Sequence, residues 1–210
     1  LTKKDWRYVA DRLLRAGEFT DKLGETNNPD WKTVAFDETT GRMVVPNGSI
    51  GFRWGEQGKW NLEEKDGTGA DTRLLLSLAE SRDEIVPVAF PYFGGRASQH
   101  FVATDHGEIL ERNVPARRVK LADGEALVVP VFDLFCANHG LDRGFGGQNV
   151  ARSYDDDVPF TPAWAERITG VGRDKIITVA REFATNAEKT NGRSMVILGA
   201  ALNHWYHMDM

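Results

Sequence analysis

Short apolar runs broken by turn residues fill the first part of this chain, and in its last third apolar positions recur about every 3.6 residues, which predicts strands followed by helices. From residue 1 to about 60, apolar stretches at Trp6 to Leu14, Thr33 to Phe36 and Met43 to Val45 are broken by Asn27-Asn28-Pro29 and Pro46-Asn47-Gly48. Those are turn-forming residues, so this part is expected to be β-rich and loop-rich. A charged, glycine-containing stretch from Glu63 to Asp71 is expected to be an exposed loop. Strands are predicted over Leu74 to Leu78 and Ile85 to Phe90, and a further pair over Arg117 to Leu121 and Ala126 to Val131. The last two are joined by Ala122-Asp123-Gly124-Glu125, an Asp-Gly hairpin signal.

Helical spacing takes over after that hairpin. Phe132 to Gly140 reads as a helix that stops at its glycine. Thr161 precedes Pro162, an N-cap with proline in the first turn, and Gly170 is placed to end the short helix that follows. Asp174 to Asn186 sets Ile176, Ile177, Val179, Ala180, Phe183 and Ala184 on one stripe, which predicts an amphipathic helix. After Asn191-Gly192, the apolar run Ser194 to Leu198 has the composition of a strand buried in a parallel sheet. Helix, turn, strand and small-residue loop make half of a doubly wound unit. The expected fold is therefore mixed α/β and incomplete, with a β-rich part over 1–130 and a partial doubly wound α/β unit over 131–210.

Composition and charge narrow the functional classes. The 210 residues are 41% hydrophobic and 27% charged, an ordinary globular balance. The net charge is -5 with basic residues dispersed, which argues against nucleic-acid binding. The longest apolar runs fall well short of the ~20 residues of a bilayer helix. One cysteine, Cys136, excludes an internal disulfide, and its apolar neighbours predict a buried, unreactive thiol in a reducing compartment. A chain that starts at Leu1 and stops just after a ligand-type motif reads as a piece of a longer polypeptide.

That motif, Gly199 to Met210, carries the densest candidate chemistry. Ligands in doubly wound sheets lie off the carboxyl ends of the strands, and Gly199-Ala200 sits at such an end, followed by Asn203, His204, Trp205, Tyr206 and His207. His204 and His207, three apart, suggest a metal pair, but no further ligands stand at a known metal spacing. Cofactor or substrate hydrogen bonding and plain packing are the other two readings for these histidines. Asp155-Asp156-Asp157 is read as a solvated loop before a helix start rather than a cation site. The glycines of Gly94-Gly95-Arg96 and of Gly144 to Asn149 lack phosphate-loop and dinucleotide spacing and are read as turns or a lid. Phe52, Trp54 and Trp60 offer stacking surface, although the alternation of Ile50, Phe52 and Trp54 also fits one core-facing side of a strand.

Several long motifs carry the reading further. NNPDWKTVAF, NGSIGFRWGEQGKWNLEE, FPYFGG, KLADG, the stretch from SYDD to TPAWAERITGV, TVAREFATNAEKTNGRSM and GAALNHWYHMDM together resemble the catalytic alpha subunits of bacterial membrane-bound respiratory nitrate reductases. The segment from TGV to AREFA is similar to the wider molybdopterin oxidoreductase superfamily. NGSIGFRWGE and NHWYHMDM resemble the nitrate reductase branch.

The resemblance implies an internal segment of an enzyme that reduces nitrate to nitrite at a molybdenum bis-molybdopterin guanine dinucleotide centre, with electrons from quinol in anaerobic respiration. It implies an iron–sulfur electron-transfer beta subunit and a haem-containing membrane gamma subunit as partners, and a place at the cytoplasmic face of the bacterial membrane through them. The family's iron–sulfur ligands and its aspartate molybdenum ligand are expected outside this chain, so no catalytic residue and no metal ligand are assigned within it. Residues 1–130 and 131–210 are expected to be parts of one larger catalytic domain. Gly199, Ala200, Asn203, His204, Trp205 and His207 are the positions carried over as neighbours of the pterin cofactor. Related oxyanion reductases, formate dehydrogenase, and a non-catalytic scaffold or subunit-interface module are the alternatives.

Overall fold

The computed structural model describes residues 1–3, 13–46, 63–65, 69–92, 108–190, 192–200 and 204. Among them are two four-stranded antiparallel sheets and three α-helices, a mixed α/β arrangement. The strands are β1 (Thr2–Lys3), β2 (Ala35–Asp37), β3 (Met43–Val44), β4 (Glu63–Lys65), β5 (Asp71–Leu75), β6 (Glu84–Tyr92), β7 (Glu108–Leu121) and β8 (Gly124–Val129). The helices are α1 (Val131–Asn138), α2 (Pro162–Thr169) and α3 (Arg173–Lys189).

One sheet has the order β1-β8-β7-β6. β7 serves two partners in turn: its first half pairs with β6, from Tyr92 opposite Glu108 to Glu84 opposite Ala116, and its second half closes the predicted hairpin, Leu121 opposite Gly124. Pro87 and Pro91 are tolerated in β6 because it is an edge strand, where a missing N–H breaks no ladder. Val86, Val88 and Phe90 alternate into a core that also takes Val114, Ala116 and Val129, and α1 covers it with Leu134 and Ala137. The second sheet, β3-β2-β5-β4, borders another core built on Leu14, Phe36, Leu78 and Val128.

Several sequence expectations change here. Glu63 to Asp71 is not simply a loop, since Glu63 pairs with Arg73 and Lys65 with Asp71 across β4 and β5. β5 ends at Leu75 rather than Leu78, because the chain then turns for Leu78 N–H to donate to the Asp133 carboxylate at 2.9 Å. The expected strand Ser194 to Leu198 forms no ladder: no strand among the described residues lies beside it, and Ile197 is 85% exposed. α3 forms as its stripe predicted, but that stripe is not a core face, and Val179 is 65% exposed. No strand or helix among the described residues buries that stripe. Most of Trp6 to Leu14, the stretch with Phe52, Trp54 and Trp60, and Gly94-Gly95-Arg96 lie outside the described residues.

α2 starts and stops for local reasons. The Thr161 hydroxyl accepts from Trp164 N–H at 3.1 Å, and Gly170, left-handed at φ 72°, donates to the Glu166 carbonyl at 2.8 Å. Arg173 at the head of α3 then donates to the Glu166 carboxylate at 2.6 Å, tying the two helices. That hydrogen bond holds the Glu166 carboxyl below its usual range.

Candidate functional site

Gly199, Ala200 and His204 are the described members of the cofactor-binding set; Asn203, Trp205 and His207 lie outside the described residues. The His204 N–H donates to the Ala200 carbonyl at 3.1 Å, a bond with the i to i−4 spacing of a helical turn. That bond puts residues 200 and 204 on one side of the turn. Gly199, Ala200 and His204 are all exposed, and a Cβ built on Gly199 would meet nothing within 4 Å. Beside Gly199 the position a Cβ would take is open.

The other candidate groups are engaged within the chain. Asp155 binds Arg173 at 2.6 Å, Asp157 binds Arg167 at 3.0 Å, and Asp156 accepts from the N–H groups of Arg152 and Ser153. Among the described residues no group of three or more His, Cys, Asp or Glu side chains is placed to hold a metal. Cys136 is buried as expected, and burial pushes its thiol up. The run from Gly144 to Asn149 is a fixed turn: Gly144 N–H donates to Asp142, and Gln148 N–H to the Glu111 carbonyl at 2.8 Å.

Two arginines that hold this turn were missed from sequence. Arg112 is 2% exposed, on the inward face of β7 opposite Val88, and donates to the carbonyls of Gln148, Ala137, Asn138 and Asn149 at 2.8–3.0 Å. The Ala137 and Asn138 carbonyls belong to the last turn of α1, where a cation is favoured. Arg143 binds the fully buried Asp133, and its other nitrogen donates to the Ser77 hydroxyl at 2.7 Å. Ser77 in turn donates to Asp133 at 2.7 Å. The signal for Arg112 was its parity with Leu110, Val114 and Ala116, which made it a charge at an inward position. A cavity of about 10 Å³ between Arg112, Asp133, Arg143 and Phe145 has room for at most one water.

A larger cavity, about 290 Å³, lies beside β2 and β5 and is lined by Leu23, Asp37, Thr40, Arg42, Val45 and Thr72. Asp37 accepts from the Thr40 hydroxyl at 2.6 Å and from the N–H groups of Thr40, Thr39 and Arg73. These bonds, the Thr40 hydroxyl first, pull its carboxyl down to about 2.

No family model matches the chain. Known proteins do. It is 59% identical over 212 residues to respiratory nitrate reductase 1 alpha chain of Escherichia coli K12, covering 100% of this chain and 17% of that protein. It is 41% identical over 210 residues to nitrate reductase alpha chain of Bacillus subtilis 168, covering 100% of this chain and 16% of the relative. Perchlorate reductase subunit alpha of Dechloromonas aromatica is 27% identical over 182 residues, 85% of this chain and 14% of that protein. By fold the chain is a mixed α/β segment, and by sequence it is related to the alpha chains of oxyanion reductases. Within that class its relatives are the nitrate reductase alpha chains, and it corresponds to one stretch of them over its whole length. The chain spans only about one-sixth of the length of those relatives.

Proposed function

We propose that this chain is a segment of the catalytic alpha subunit of a respiratory nitrate reductase, an enzyme that reduces nitrate to nitrite. The observation that carries this reading is similarity along all of the chain to nitrate reductase alpha chains of different bacteria, 59% identical in one and 41% in another. The perchlorate reductase match, at 27% over less of the chain, supports the same oxyanion chemistry but favours nitrate within it.

The cofactor of this reading is molybdenum held by two molybdopterin guanine dinucleotides. Bound, it would supply the two-electron redox chemistry needed to remove an oxygen atom from the substrate, which no side chain can perform. The segment's part is to form one wall of the cofactor site with the turn at Gly199-Ala200 and with Asn203, His204, Trp205 and His207. The open space beside Gly199 and the exposure of His204 fit that role. Gly199 and Ala200 let backbone approach closely, and the His204 imidazole donates a hydrogen bond to a ring or phosphate acceptor.

Electrons reach the alpha subunit from membrane quinol through an iron–sulfur beta subunit and a haem-containing gamma subunit, which hold the enzyme at the cytoplasmic face of the membrane. Among the described residues no helix is long and apolar enough to cross a membrane. His204→Ala in the full-length alpha subunit tests the assignment of the turn. Molybdenum content or pterin occupancy should fall, and unchanged values in both His204→Ala and Asn203→Ala would remove it.

A further inference from the structure

We draw no further inference here: the strongest candidate, the cavity of about 290 Å³ beside β2 and β5 lined by Asp37, Thr40, Arg42 and Thr72, carries nothing because the chain on either side of its lining, residues 47–62 and 66–68, lies outside the described residues and nothing in the structure shows what fills it.

Discussion

Gly147 lies so close to Arg112 that a Cβ on the glycine would come within 2.6 Å of the arginine Cα. The two residues also form an isolated antiparallel bridge, and Gly147 has a φ of 132°, open to glycine and strained for other residues. Gly147→Ala should therefore loosen the turn from Gly144 to Asn149 by roughly 1–3 kcal/mol. The check is amide hydrogen exchange of Gln148 and Asn113 in the full-length subunit, which should speed up about tenfold or more. Unchanged exchange would mean that Arg112 does not fix this turn.

Asp37 gives a pH prediction. Its folded carboxyl sits at about 2, below the ordinary value of about 3.9. A depressed carboxyl contributes stability that is complete above the ordinary value and is lost as pH falls from about 4 towards about 2. Asp37→Asn should lower protection of the β2–β5 pairing at neutral pH and flatten its loss across that acid window. A variant as acid-sensitive as the parent there would assign the loss to other groups.

Thr161 caps α2 and is itself buried, its hydroxyl also donating to the Asp156 carbonyl at 2.6 Å. Thr161→Ala leaves the Trp164 N–H without its partner and should cost about 1 kcal/mol. Faster exchange in the first turn of α2, with Thr161→Ser close to the parent, is the expected pattern. Equal losses in both variants would place the effect in the methyl group rather than in the cap.

Local signals in the sequence translated well. The Asp-Gly hairpin of β7 and β8, the Thr161-Pro162 start of α2, the stop at Gly170 and the course of α3 all rest on interactions within a few residues, so the chain itself specifies them. Ser194 to Leu198 was less legible because a parallel strand exists only with neighbours, and none lies beside it among the described residues. Arg112 escaped notice because its partners, the carbonyls of residues 137, 138, 148 and 149, are brought to it by the path of the chain and leave no motif. For the candidate cofactor turn, the sequence supplied the residues. The described structure adds the Ala200–His204 hydrogen bond and the open space beside Gly199.

The central claim, that this chain is part of a nitrate-reducing alpha subunit, is tested most directly by nitrate turnover. The full-length subunit, assembled with its partners and supplied with a reduced dye as electron donor, should convert nitrate to nitrite in proportion to its molybdenum content. Molybdenum-loaded enzyme that consumes no nitrate while reducing another oxyanion or oxidising formate would contradict the account.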